Sequence, residues 1–583
     1  MEYIKLVEMY QTLEETTKRL KKTFLISEFL KTTPKEDIGN ITLLLQGKVF
    51  PTWDERKIGV ASRLILKAIS TATGIDIKKI ENEWKKTGDL GLVAESLVKQ
   101  KKQSTLFSHN LSVKKVFGNI SKLAELEGHG SVERKMQLIA ELLTSAKPIE
   151  ARYITRTILE DLRVGAGEGS LRDAIVWAFF GDKIGLKYLS DNKIDIQSRE
   201  EYNKYVDAVQ RAYDLTNDFS SVAEAAKQGL KKLEDMAIVV FRPLKVMLAL
   251  KVKDTKEGFE RCGKPLDIEY KLDGFRIQAH KQENKIRLFT RRLEDVTPQF
   301  PEVVEYVKNN VKGNSFILDS EAAGLDPKTG KYLPFQSISQ RIRRKYNIEE
   351  MSKKFPVEVN VFDILYYNGK SLIKEDFKKR RELIEKIISQ KPRKIVTVRN
   401  LITSKESEVE KFYKESLQAG NEGIMFKKLD APYKPGARVG FMCKMKPVME
   451  TLDLVIVGAE WGTGKRATWL SSFTLACIDE DGNFLEIGKM GTGIKEKAEE
   501  GTSFKQLTEE LKPLITSEKG REVKIKPKIV VEVSFEEIQK SPTYSSGYAL
   551  RFPRLVNLRS DRDPSEASTL SMVEDYYYNQ KKK

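Results

Sequence analysis

The chain has 583 residues, 32% of them charged, and a formal net charge of +18 at pH 7. That length predicts three or four domains, each able to bury its own core. The charge predicts a polyanionic partner, nucleic acid ahead of an anionic membrane, and the sequence has no run of about 18 apolar residues that would span a bilayer.

Met1 to Leu20 is charged throughout and lacks the apolar core of a signal peptide. Cys262, Cys443 and Cys477 lie far apart in sequence, as do His109, His129 and His280, and neither set has zinc spacing. A metal, if used, is therefore expected to be a hard cation on carboxylates, in a reducing compartment.

Residues 1 to about 235 read as mainly helical. Tyr3, Leu6, Val7, Tyr10 and Leu13 recur at helical spacing, and so do Met136, Leu138, Ile139, Leu142 and Leu143. A polar loop from Lys101 to Phe107 ends in two apolar residues. Leu162 to Leu171 reads as a glycine-rich loop between helices, either a tight turn or a place where backbone amides approach phosphates between Arg163 and Arg172.

Near Ala237 the periodicity changes, and strands alternate with helices as far as about Pro447, an α+β pattern. Pro265 to Tyr270 reads as a strand ending at Lys271, Asp273-Gly274 as a turn, and Phe275 to Lys281 as a second strand. Lys271 thus sits on a rigid element, with Glu269 and Asp273 two residues to either side and Arg276 five residues on. Neighbouring cations favour a neutral, nucleophilic amine and screen an incoming phosphate; the plainer reading is a surface lysine beside a hairpin. Phe316 to Glu321 reads as a strand ending in acids, and Val361 to Leu365 as a buried strand. Alternation puts the ammoniums of Lys444 and Lys446 on one face of a third.

After Thr451 the chain turns β-rich. Leu454 to Val457, Phe473 to Ile478, Phe484 to Ile487 and Ile529 to Val533 are short strands between Gly and Asp turns, a pattern that suits a small barrel such as the OB-fold. Leu570 to Lys583 reads as a short helix. A P-loop is missing: its nearest approximation, Gly458 to Arg466, has Ala459 and Arg466 where Gly and Ser or Thr are required.

In chain order, Lys271-Leu272-Asp273-Gly274 resembles the K-x-D-G nucleotidyl-lysine motif of the covalent nucleotidyltransferases. Thr290-Arg291-Arg292-Leu293-Glu294-Asp295 resembles their S-R-R-x-E-D segment. Glu422 to Lys427 reads E-G-x-M-x-K, Lys444-Met445-Lys446 reads K-x-K, and Arg551-Phe552-Pro553-Arg554 with Arg559 to Arg562 resembles R-F-P-R…R-x-D-K. Over nearly the whole chain the set is similar to the three-domain ATP-dependent DNA ligases of the archaeal and eukaryotic replicative type.

This resemblance implies an all-α DNA-binding domain (1–235), an α+β nucleotidyltransferase domain (236–447) and a C-terminal OB-fold (448–583). It implies an AMP-lysine enzyme that seals nicks in double-stranded DNA in replication, repair and recombination, a monomer acting on the nucleoid in the cytoplasm. Lys271 is then the nucleophile and ATP the co-substrate. Glu269, Arg276, Arg291, Glu321, Phe362, Arg438, Lys444, Lys446, Arg551 and Arg562 contact the nucleotide, and Glu321 and Glu422 hold Mg²⁺ or Mn²⁺. Within that set, Phe362 stacks on the purine and Glu269 meets its exocyclic amine. The resemblance also makes the loop at Leu162 a DNA contact, and Gln103, Leu106 and Phe107 a sliding-clamp peptide.

The chain departs from the family pattern at several points. Lys245 and Val246 replace the middle of an R-P-x-x-P-M-L-A entry, Thr290 replaces Ser, Met442 and Cys443 stand where a tryptophan is usual, and Arg562 replaces Lys. Two rival readings are a capping guanylyltransferase or RNA ligase, against which the long helical region argues, and a non-catalytic DNA-binding protein, against which the intact lysine and carboxylates argue.

Overall fold

The computed structural model describes residues 1–582 except 55, 101–109, 191–192, 327, 334, 343, 345, 437–438, 448–450, 463–465, 467, 497–498 and 500. Gln103, Leu106, Phe107 and Arg438 therefore lie outside the described residues. Backbone contacts divide the chain into two compact units. The first is Met1–Val252, Lys256–Val409 and Met425–Lys444; the second is Lys253–Thr255, Glu410–Ile424 and Met445–Lys583.

Among the described residues, the first unit begins with thirteen α-helices between Tyr3 and Glu234. In the first, Tyr3–Glu14, the five residues at helical spacing are all fully buried, as one apolar stripe facing a core requires. An apolar cluster runs from Tyr3 to Leu233. The hairpin Lys187–Ser190 with Lys193–Asp195 departs from the helical expectation. Its strands are short and mostly exposed; only Tyr188 and its cross-strand partner Ile194 pack onto the helical core.

The glycine-rich loop is shorter than its sequence suggests, because helix α1 (Glu168–Phe180) already begins at Glu168. An acid in the first turn is favourable beside the unpaired N–H groups there. Arg163 adopts a left-handed φ of 63°, and its guanidinium pairs with Asp161 and Asp89.

The segment entering the middle region is strapped down by side chains. Gln278 brackets Leu244, accepting from its N–H at 3.0 Å and donating to its carbonyl at 2.8 Å. His280 Nδ1 accepts from the Phe241 N–H at 3.0 Å. Lys245, one of the departures from the family pattern, pairs with Glu168 at 2.8 Å, and Tyr213 in helix α2 (Arg199–Thr216) donates to the same carboxylate. An apolar cluster including Leu215, Leu244, Met247, Ile317 and Tyr433 spans the helical and middle regions, so the two form one unit.

Among the described residues, the middle region holds two sheets and several helices, including α3 (Thr255–Cys262) and α4 (Phe377–Ile387). Its main strands are β1 (Leu250–Val252), β2 (Leu266–Lys271), β3 (Phe275–Gln282), β4 (Lys285–Thr290), β5 (Ser315–Leu325), β6 (Val357–Tyr367), β7 (Asn400–Thr403), β8 (Gly423–Lys428) and β9 (Met442–Met445). One sheet contains the order β6-β5-β3-β4, and the other is ordered β7-β2-β8-β9-β1. Strand β5 does not end at its acids. It runs four residues past Glu321, because β6 continues its ladder to Gly324 on one side and the short strand Tyr332–Leu333 pairs with Gly324 and Leu325 on the other.

In the second unit, Leu452–Trp461 is the central strand. It pairs antiparallel with Leu470–Ile478, with Glu522–Ile525 through one half and with Val530–Ser534 through the other. Three of the four strands expected from sequence fall inside observed ones, and the fourth, Ile529 to Val533, starts one residue before the observed Val530–Ser534. An apolar cluster from Leu452 to Tyr577 fills the interior and includes Val573 and Tyr577 of the last helix, Leu570–Lys582.

Candidate active site

Lys271 is the last residue of β2 and its only half-buried one; the five before it are buried. The turn that follows is built by its own residues. Asp273 accepts from the Phe335 N–H at 3.2 Å. A Cβ on Gly274 would stand 2.4 Å from the Ala322 carbonyl oxygen, so only glycine lets the turn pass this close to β5.

Glu269 lies two residues earlier, on the same face of β2 as Lys271. One carboxylate oxygen is 2.6 Å from Lys427 Nζ and the other 3.3 Å from an Arg381 nitrogen. Burial pushes its pKa up to about 7 against the opposing pull of Lys427 and Arg381, and Asp267 adds to the rise. The same ammonium of Lys427 sits 4.6 Å from the centre of the Phe362 ring. Phe362 is the one half-buried side chain among the first nine residues of β6. With Arg276, Lys427, Tyr433 and Phe441 it lines a cavity of about 20 Å³, room for roughly one water.

Arg276 is an internal brace. It binds Asp319 through two nitrogens, one at 2.7 Å, and also reaches the Tyr433 hydroxyl at 3.1 Å and the Met247 carbonyl at 3.3 Å. Its guanidinium carbon lies 5.1 Å from the Phe362 ring centre. Asp319 is fully buried, and such a carboxylate requires this degree of pairing. Glu321 is half-buried on β5, in register with Arg276 on β3 and Asn360 on β6.

Arg291 is exposed in the turn after β4. The Thr290 hydroxyl accepts from the Arg292 N–H at 3.2 Å, and the Thr290 N–H donates to the Glu294 carbonyl at 2.9 Å. The turn needs a hydroxyl, which Thr supplies as well as Ser. Lys444 is half-buried on β9 between buried Cys443 and Met445. The strand stops at Met445, so Lys446 lies just beyond it rather than on it; Pro447 follows, which has no N–H to extend the ladder.

In the second unit, Lys446 is held between Glu422 at 2.8 Å and Glu536 at 3.0 Å. Burial works against its charge, yet the two carboxylates keep its pKa above the ordinary lysine value. Gly423, beside Glu422, has φ 144°, and a Cβ there would stand 2.1 Å from the Met445 carbonyl oxygen. Arg551 pairs with Glu537 at 3.1 Å; Arg562 pairs with Asp453 at 3.3 Å, which Arg559 also binds. Among the described residues no three or more His, Cys, Asp or Glu side chains converge.

Several participants were not legible as such in the sequence. Arg380 and Arg381 belong to the charged run Lys378 to Glu382, yet they are 1% and 4% exposed. The available signal was their spacing: with Phe377 and Ile384 they fall at i, i+3, i+4 and i+7, one side of a helix. Arg380 pairs with Asp363, the neighbour of Phe362, at 2.7 Å.

Three family models match the chain in order. These are the DNA ligase N terminus over residues 2–176, the ATP dependent DNA ligase domain over 246–446 and the ATP dependent DNA ligase C terminal region over 466–562. The DNA ligase of Nanoarchaeum equitans is 47% identical over 585 residues, covering 100% of this chain and 99% of its own. That of Thermococcus fumicolans is 42% identical, covering 99% and 98%. A solved structure named "Pmar-Lig_Pre." shares the fold at a TM-score of 0.57 and 18% identity, over 95% of this chain and 99% of that one.

Proposed function

The chain belongs to the ATP-dependent DNA ligase family, and from that premise we propose that Lys271 is the nucleophile that carries AMP. Its neutral amine attacks the α-phosphorus of ATP. The N–P bond forms as the bond to pyrophosphate breaks, and the amine proton leaves to solvent. A 5′-phosphate oxygen at a nick then takes the adenylate from Lys271. Finally the 3′-hydroxyl attacks that phosphate, the strand closes and AMP departs.

Phe362 offers a face for the purine, worth ~1–3 kcal/mol, and Glu269 accepts from the exocyclic amine. Arg291, Glu321 and Arg438 bind the ribose and phosphates, and Arg276, beside Phe362, also contacts the nucleotide. Lys444 and Lys446 face the α-phosphate, Lys446 exchanging a carboxylate for it. Glu321 and Glu422 would hold Mg²⁺, which supplies neutralising charge when bound. Arg551 and Arg562 act on the departing pyrophosphate.

The domains divide at about residues 235 and 447, the last being an OB-fold. The monomer acts on nicked duplex DNA of the nucleoid in replication, repair and recombination, tethered to a sliding clamp by Gln103, Leu106 and Phe107. The observation that supports the reading most is that Glu269, on the strand of Lys271, is joined through one ammonium to the half-buried Phe362.

Intact mass after incubation with ATP and Mg²⁺ tests it. A single AMP adduct on Lys271 is expected, missing from both Lys271→Ala and Lys271→Arg because a guanidinium does not deprotonate in a protein. Normal nick sealing by Lys271→Arg would remove Lys271 from the role.

A further inference from the structure

Cys262 and Cys443 are 181 positions apart in sequence, yet their sulfurs lie 3.1 Å apart. Both are buried, at 1% and 0% exposure. Cys262 ends helix α3 and Cys443 lies on β9, directly before Lys444. The third cysteine, Cys477, is buried in the second unit, where its thiol faces the Leu485 carbonyl at 3.6 Å.

The paired thiols are not equivalent. Cys262 donates its S–H to Cys443, which holds the Cys443 pKa below the ordinary thiol value and raises that of Cys262. Cys443 is therefore the better nucleophile and Cys262 the thiol that resolves.

We propose that Cys262 and Cys443 are a dithiol–disulfide site whose oxidation joins helix α3 to strand β9 and displaces Lys444. With a hydroperoxide, the Cys443 thiolate attacks the terminal oxygen. The O–O bond breaks and the alkoxide leaves as the alcohol, giving a sulfenic acid. The Cys262 sulfur then attacks the Cys443 sulfur, and the hydroxyl leaves as water with the Cys262 proton. Two electrons pass from the sulfurs to the peroxide, and a small dithiol returns them. Disulfide sulfurs sit about 2.05 Å apart, so the bond brings the two sulfurs about an ångström closer and pulls on β9 beside Lys444. A shift of that size near reacting atoms can cost about 10²-fold in rate. The effect on catalysis rests on the role proposed for Lys444; the bond itself does not.

The test uses the full chain before and after hydrogen peroxide, followed by denaturation and alkylation. The oxidised chain should weigh two hydrogens less and carry a single alkylatable thiol, Cys477. Its single-turnover adenylation should be slower by about tenfold or more, recovering with dithiothreitol. Cys443→Ser, which lacks the attacking thiolate, should adenylate at a rate unaffected by peroxide. Three alkylatable thiols after peroxide, a sulfinic acid at Cys443, or a disulfide with an unchanged adenylation rate would each overturn the proposal. A reduced chain that never takes AMP from ATP would instead overturn the reading of Lys271, since the mass and thiol count do not depend on it.

Discussion

The ammonium of Lys427 stands 2.6 Å from the carboxylate of Glu269 and 4.6 Å from the centre of the Phe362 ring. One cation thus connects a buried acid to the aromatic proposed to carry the base. The protonation state of that acid therefore bears on nucleotide binding.

Burial raises the Glu269 pKa from 4.5 to about 7, so the folded chain keeps a proton that the unfolded chain releases between those values. This contribution to stability is present below pH 4.5 and lost as pH rises through 7. Binding should follow the opposite course, because the ionised carboxylate accepts from an amine more strongly than the protonated acid does. Measured on a Lys271→Ala background, the ratio of ATP affinities with and without Glu269→Gln should fall as pH drops below 7, by up to about tenfold per unit. A ratio that is flat from about pH 5.5 to 8.5 would separate Glu269 from the base.

Asp319 is fully buried and accepts from Arg276 and from the Tyr433 hydroxyl. Asp319→Ala leaves a buried guanidinium without its counter-ion and should cost ~3–5 kcal/mol in urea unfolding. Removing both charges, in Asp319→Ala with Arg276→Met, should recover most of that. If the double variant is less stable than the single one, the pair is not the brace described here.

His280 should set an acid limit. Burial, helped by Arg287, lowers its pKa from 6.5 to about 3, so the fold requires the neutral ring that accepts from Phe241. Its contribution is complete above pH 6.5 and is lost as pH falls toward 3, at up to about 1.4 kcal/mol per pH unit. His280→Asn keeps an acceptor without the titration and should flatten that slope. Equal loss of stability by both proteins between about pH 7 and 5 would assign the acid sensitivity elsewhere.

Arg551 and Arg562 separate the chemical steps. If they act on pyrophosphate, alanine at either position should slow adenylation of Lys271 far more than sealing of a pre-adenylated nick, by ~10³-fold for a well-placed arginine. A basic patch facing DNA predicts the reverse, normal adenylation with poor sealing. Single-turnover rates on the two substrates decide between them.

The local parts of this molecule were legible in its sequence. Alternation placed β2, β3 and β6 within a few residues, and helical spacing identified Tyr3 to Leu13 as a core face, because each signal lies within one element. What was hidden depends on distance along the chain. Arg381 belongs to the site only because α4 brings it to Glu269, 112 positions away. The two cysteines read as isolated, and nothing in the sequence joins Arg276 to Asp319 and Tyr433. Pairing partners, unlike periodicity, leave no trace within a short window of residues.

The two glycines of the lysine and carboxylate motifs have a consequence for how such motifs decay. Gly274 and Gly423 answer to the spacing of neighbouring backbones, at Ala322 and Met445, and not to a reacting atom. A duplicated gene released from catalysis would keep both as long as its product still folds, while Lys271 drifts freely. Glycines retained beside a substituted lysine would then be the imprint of an inactive copy. Loss of the glycines would instead mark a gene whose product no longer holds its shape.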